Sequence, residues 1–207
     1  RYPHAMPRPV AIEDLTRFTS VADPQLSPDG TRILFPLTRA VEKNKKLGHL
    51  HEVEIASGRV RRLTSGEKGA STGRYLPDGS ILFTSDREGE KTQLFHLPAG
   101  GGEARRLTDF PEGAIGEFRA SPDGKHIAYT FRETHPDRTK EAGKAREDEG
   151  LSTPPWEIDN LWYRLDGDGY FGGQRHRLFV IPVTEEGAGY AEPQLLSDKA
   201  PHGQYSF

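Results

Sequence analysis

Cysteine is absent from all 207 residues, which excludes disulfides and thiolate metal sites. No apolar run approaches the roughly 18 residues that a membrane-crossing helix needs. A dominant charge is missing too. The 28 basic and 31 acidic residues leave a net charge of −3, so no basic field attracts nucleic acid or a membrane surface. Hydrophobic residues reach only 33%, too few for a helix bundle with a large core. The first ten residues, RYPHAMPRPV, lack the apolar middle of a signal peptide, and a cytoplasmic location is expected.

What the chain does have is glycine (23) and proline (16), suited to many short strands joined by many turns. Ser27-Pro28-Asp29-Gly30 returns as Leu76-Pro77-Asp78-Gly79 and as Ser121-Pro122-Asp123-Gly124, in steps of 49 and 45 residues. Arg61-Arg62-Leu63-Thr64 returns as Arg105-Arg106-Leu107-Thr108, a step of 44. Two phrases recurring at nearly one period define an array, and periods of roughly 40–50 residues with strand-like contents mark propeller blades of four strands each. In each turn Pro presets φ, Asp bonds local backbone and Gly accepts a positive φ.

The fold class predicted is all-β: a partial β-propeller of three four-stranded blades plus the first strand of a fourth. Residues 1–20 form a lead-in, with a short helix or extended segment at 11–18 whose apolar face is Ile12, Leu15 and Phe18. Residues 21–207 form the propeller: blade one 21–66, blade two 70–110, blade three 114–198, and the start of blade four at 203–207. In blade one the first strand ends at Leu26, and the others are expected at 32–37, 49–55 and 60–64. Blade three is interrupted: Leu196-Ser197 takes the place of Leu-Thr 89 residues after Leu107, one period plus an insertion at 134–174. Three blades and a stub do not close a ring, so further chain is expected downstream.

Several motifs suggest chemistry. Gly69-Ala70-Ser71-Thr72-Gly73 matches Gly-x-Ser-x-Gly, but polar turn residues precede it and Pro77 follows. A nucleophile elbow needs a strand before and a helix after, so the match is read as a linker loop between blades. Asp166-Gly167-Asp168-Gly169 lacks the later ligands of a calcium loop and reads as a hairpin turn between 161–165 and 170–171. His49, His51 and His176 have no third ligand at convincing spacing and read as surface or pore-lining histidines. Gly100-Gly101-Gly102 precedes a strand instead of a helix, so it is a hairpin turn. The mixed charges of 140–149 suit a solvated helix or loop. No cofactor, metal or catalytic residue is assigned.

The insertion is where function is expected to show. Four antiparallel strands return the chain to the face it started from, and the connection from strand two to strand three lies on that face. Residues 134–174 therefore project from the side where the chain enters and leaves, opposite the Pro-Asp-Gly turns. Trp156, Trp162, Tyr163 and Arg164 cluster there, and Trp156, Tyr163 and Arg164 are candidate substrate contacts. The competing reading makes them a small core or a subunit contact.

Four stretches, 13–30 (EDLTRFTSVADPQLSPDG), 82–90 (LFTSDREGE), 161–173 (LWYRLDGDGYFGG) and 176–183 (HRLFVIPV), give the chain a resemblance. It resembles the N-terminal propeller of the prolyl oligopeptidase superfamily of serine peptidases, family S9, in its bacterial acylaminoacyl-peptidase and dipeptidyl-aminopeptidase-like branch. The resemblance implies a parent enzyme with a downstream α/β-hydrolase domain carrying a Ser-Asp-His triad, none of it in these 207 residues. It also implies a gating role, short peptide substrates, the rest of the polypeptide as partner, and a homo-oligomer. A TolB-like propeller that serves only as a binding scaffold is the other reading.

Overall fold

In the computed structural model, which describes residues 8–42, 45–89, 91–158, 163–165, 169–170, 174–183 and the backbone of 194–195, each Pro-Asp-Gly phrase closes a hairpin between the inner two strands of an antiparallel sheet. Asp29 Oδ1 accepts from Ser27 Oγ (2.6 Å), Thr31 N (3.1 Å) and Thr31 Oγ1 (2.9 Å). Those bonds pull its carboxyl down to about 2. Gly30, Gly79 and Gly124 take φ of 70°, 82° and 70°, which the turn demands and a side chain resists. Ser27 Oγ also accepts from Arg32 N (2.9 Å), and Ser121 Oγ from His126 N (3.0 Å). Leu76 has no such oxygen, and its turn is one residue tighter, Leu76 N donating to Ser80 O (2.8 Å).

The first sheet holds β1 (Thr19–Val21), β2 (Gln25–Leu26), β3 (Arg32–Glu42), β4 (Lys45–Glu54) and β5 (Val60–Arg62); β1 and β2 both pair with β3. The second runs β6 (Ala70–Tyr75), β7 (Ile81–Ser85), β8 (Gln93–Leu97), β9 (Arg105–Arg106). The third begins with β10 (Gly113–Ala120) and β11 (His126–Glu133). Inside the insertion, β12 (Arg164–Leu165) and β13 (Gly169–Tyr170) pair, among the described residues, only with each other. The third sheet then resumes with β14 (Arg177–Pro182) and β15 (Gln194–Leu195). This is the partial β-propeller expected. Its first hairpin is longer than the repeat implies, with β3 of 11 residues and β4 of 10 against 5 each for β7 and β8. The fourth-blade stub expected at 203–207 lies outside the described residues.

The Leu-Thr phrase fastens the outermost strand. Leu63 N donates to Leu50 O and Leu107 N to Leu94 O, both at 2.8 Å. The following threonine turns back: Leu50 N donates to Thr64 Oγ1 (2.9 Å) and Leu94 N to Thr108 Oγ1 (3.0 Å). A buried hydroxyl thus continues the ladder where backbone pairing stops.

Two cores join the sheets. Leu34 and Leu50 of the first meet Ile81, Phe83, Phe95 and Leu97 of the second. The other face of the second, with Leu82, Leu94 and Leu107, meets Phe118, Ile127, Tyr129 and Ile181 of the third. Alternation along β7 and β8 sends successive side chains into opposite cores.

All three innermost strands carry an extra residue. The register slips between Ser71 and Arg74 on β6 and between Ile115 and Phe118 on β10, and residues 22–24 separate β1 from β2. Asp23 (φ 45°) and Thr72 (φ 51°) sit at these bulges. The bulges aim charged side chains across the sheets. Arg74, 5% exposed, donates to Asp23 of the first sheet and lies 3.7 Å from Glu117 of the third.

The lead-in is a 3-10 helix, Ile12–Arg17, closed at its start by Asp14 accepting from Ala11 N (2.9 Å). The expected apolar face exists but is uncovered: Ile12, Leu15 and Phe18 are 81%, 61% and 59% exposed. Among the described residues no helix is long and apolar enough to cross a membrane.

Candidate functional site

The insertion leaves the third sheet after Glu133, opposite Gly113 at the start of β10, and returns at Arg177, opposite Phe131. Both ends lie away from the 121–125 turn, so the insertion stands on the side predicted, that of the connections between sheets. Thr134 N donates to Glu112 O (2.8 Å) and Lys140 N to Glu112 Oε2 (3.0 Å), tying its first turn to the sheet. A 3-10 turn (Pro136–Arg138) leads into α1 (Lys140–Asp148), capped by Thr139 Oγ1 accepting from Ala142 N (3.1 Å). The charged run is thus a helix, and none of its residues is buried.

Arg138 turns back from this helix. Its guanidinium lies 3.3 Å from the Trp156 ring centroid and donates to Pro154 O (2.7 Å) and Pro155 O (3.0 Å). Trp156 stacks on Tyr170 (5.8 Å, 26° between planes), and Tyr170 on Tyr163 (6.0 Å, 25°). Arg164 sits 5.3 Å from the Tyr170 ring. The β12–β13 hairpin sets this up by pairing Arg164 with Tyr170. The three predicted contacts, Trp156, Tyr163 and Arg164, therefore belong to one stack. Tyr163 and Tyr170 remain 42% and 43% exposed. Trp162 lies outside the described residues. Two members escaped the sequence reading. Tyr170 was taken only as a hairpin strand residue, and no pattern marks Arg138, 18 residues before Trp156. The stack offers flat aromatic faces flanked by guanidinium, suited to apolar or aromatic side chains and carboxylates of an extended ligand.

The other motifs resolve as structure. Gly69–Gly73 does not form a linker loop: residues 70–73 lie in β6, the inner strand of the second sheet. Ser71 Oγ shares a hydrogen bond with Thr84 Oγ1 (3.0 Å), and a hairpin follows β6 where an elbow needs a helix. Gly73 has a packing reason, since a Cβ there would stand 2.7 Å from Leu34 Cδ2. His49 is buried instead of surface or pore-lining, with Nδ1 3.4 Å from Thr64 Oγ1. Burial, then the charges of Arg62, His51, Arg87 and Arg39, hold its imidazole below the usual range. Among the described residues no three metal-ligating side chains converge. Residues 166–168, where a turn was expected, lie outside the described residues, while β12 and β13 pair antiparallel and 98–104 joins β8 to β9.

Residues 11–152 match the TolB β-propeller domain family. The chain is 35% identical over 204 residues, 98% of its length, to the uncharacterized peptidase YuxL of Bacillus subtilis, of which it covers 30%. It is 29% identical over 133 residues to dipeptidyl-peptidase 5 of Porphyromonas endodontalis, covering 59% of this chain and 19% of that protein. It thus spans less than a third of the length of the curated relatives it matches. Among solved structures, Pyrococcus horikoshii acylaminoacyl peptidase shares the fold, with a TM-score of 0.64 at 16% identity over 88% of this chain and 26% of that one.

Proposed function

The chain belongs to the TolB β-propeller domain family, and from that premise we propose that it is the propeller portion of a serine peptidase. In this reading it governs which peptides reach a catalytic α/β-hydrolase domain carried elsewhere in the polypeptide. The observation that carries it is the stack of Arg138, Trp156, Tyr170, Tyr163 and Arg164, carried by an insertion that leaves and rejoins the third sheet on the face where the chain passes between sheets. A domain joined to the propeller through that face sits beside the stack. Trp156, Tyr163 and Arg164 then contact short peptides on their way in. The near full-length likeness to a peptidase supports the enzyme class. A scaffold that only binds is the reading to be excluded.

The full-length protein is assayed against chromogenic acyl-amino-acid and dipeptide substrates. Tyr163→Ala and Arg164→Ala are each expected to lower kcat/KM about 10-fold, in line with losing one aromatic or charged contact, while shifting thermal stability little. Unchanged kinetics with a large stability loss would make the stack a core. No turnover by the full-length protein on any substrate would leave the binding scaffold.

A further inference from the structure

The stack in the insertion has a fastened end and an open end. At the fastened end the Arg138 guanidinium lies 3.3 Å from the Trp156 ring centroid and donates to Pro154 O (2.7 Å) and Pro155 O (3.0 Å). One face and one edge of it are therefore occupied, and Trp156 is half-buried. At the open end Arg164 is exposed. Among the described residues its guanidinium has no hydrogen bond and no ion pair; the Tyr170 ring lies 5.3 Å away. Neither guanidinium has a carboxylate beside it. On the sheets the pattern differs: Arg32, Arg61, Arg74, Arg106 and Arg119 each have a carboxylate partner. The stack thus carries two positive charges without a counter-charge among the described residues, in a chain whose net charge is −3.

The hairpin sets where the free donors sit. Arg164 and Tyr170 are directly opposed on β12 and β13, so their side chains leave the same face of the hairpin. A guanidinium lying against a ring is covered on its face and keeps its N–H edge for a planar, bidentate acceptor. The exposed rings of Tyr163 and Tyr170, 6.0 Å apart, offer apolar surface beside that edge. A neutral peptide would use the rings and leave the fork to water. A carboxylate would fill the fork, and paired N–H···O bonds between charged groups are the stronger kind. A lysine or arginine side chain would meet like charge there.

We propose that the open end of the stack selects peptides that carry a carboxylate next to an apolar or aromatic residue. Arg164 takes the carboxylate, and Tyr163 and Tyr170 take the neighbouring side chain. Arg138 is a positioning residue, which acts by holding Trp156 against Tyr170. The inference rests on the peptide-contacting role given to the stack above and adds what that contact reads. The carboxylate is an Asp or Glu side chain or the C-terminus of the peptide; the chemistry at Arg164 is the same.

The test uses the full-length protein treated with a fluorophosphonate, which blocks a serine nucleophile so that peptides are not consumed. Three acetylated tetrapeptides are titrated calorimetrically: Ala-Ala-Phe-Asn amide, which has no carboxylate, the same peptide with a free C-terminus, and Ala-Ala-Phe-Asp amide. At least one charged peptide is expected to bind roughly 10-fold or more tightly than the uncharged amide, and which of the two does so identifies the source of the carboxylate. Arg164→Gln is expected to erase this gap. Arg138→Gln is expected to weaken all three peptides alike and keep it. Equal binding of the three peptides, no binding, or a gap that survives Arg164→Gln would overturn the inference. Loss of the gap in Arg138→Gln as well would assign it to the summed positive charge and remove Arg164 as its reader. Turnover of chromogenic substrates by the untreated protein is read separately. Turnover without a gap rejects the carboxylate site and keeps the peptidase; a gap without turnover keeps the site on a binding scaffold.

Discussion

Leu34-Phe35 and Leu82-Phe83 are the same phrase in consecutive repeats, and they meet different fates. Phe83 is fully buried, stacked 5.7 Å from Phe95, and every residue of β7 is buried. Phe35 is half-buried and stacks on His51 at 6.0 Å. The second sheet has a neighbour on each face; among the described residues the first has one only on its Leu34 and Leu50 face. Burial in a repeat array is thus set by who stands alongside, and each unit contributes an apolar face that it cannot cover alone.

The sharpest way to break this comparison is to truncate both rings. Phe83→Ala is expected to cost ~3–5 kcal/mol, as for other fully buried aromatics, and Phe35→Ala less than half of that. Urea denaturation of the 207-residue chain measures both. Equal losses would show that Phe35 already sits in a complete core. In a longer protein whose added chain covers this face, the Phe35→Ala cost should rise toward that of Phe83→Ala, which turns the pair into a probe of what lies there.

A smaller effect separates the two junctions between sheets, where Glu52 opposite Leu34 corresponds to His96 opposite Leu82. Glu52→Gln leaves Arg61 and Arg32 without their buried counter-charge; because Arg61 is largely exposed, about 1–3 kcal/mol is expected. His96→Gln, at the corresponding position, should stay within about 0.5 kcal/mol. If the two cost the same, the networks differ less than their contacts imply.

The smallest effect is at high pH. Burial pushes the Tyr129 phenol up to about 12, and burial with the Glu52 hydrogen bond raises Tyr75 as well. The fold holds both phenols neutral, so their contribution is intact below the ordinary value of about 10 and drains away as pH rises through the folded value. Tyr129→Phe keeps the ring against Phe110 and Phe179 and should flatten the loss of stability above about pH 10. An identical profile in the variant would assign the alkaline loss to other groups.

The turn phrase was legible in the sequence because its chemistry is local: Asp bonds its own next residues and Gly supplies the φ within one hairpin. The Leu-Thr phrase was legible as a recurrence, but its reason was not, because Thr64 and Thr108 act on backbone 14 residues away. The inner bulges left no mark in the pattern, so Asp23, Arg74 and Glu117 could not be joined beforehand. Gly73 read as part of a linker loop when its cause was Leu34, on another sheet. In the insertion, proximity in sequence did indicate Trp156, Tyr163 and Arg164, but the ring that unites them, Tyr170, is brought in by the hairpin.

The sequence by itself determined the unit: its period, its turns, its strand alternation, and the place where one unit was opened to admit an insertion. These follow from backbone stereochemistry and from the alternation of side chains along a strand, both of which act over a few residues. Only the tertiary structure decided what the units do to one another. Which groups meet at a junction depends on side chains about half a repeat apart, Glu52 with Tyr75 or His96 with Ala120, and no short-range rule couples them.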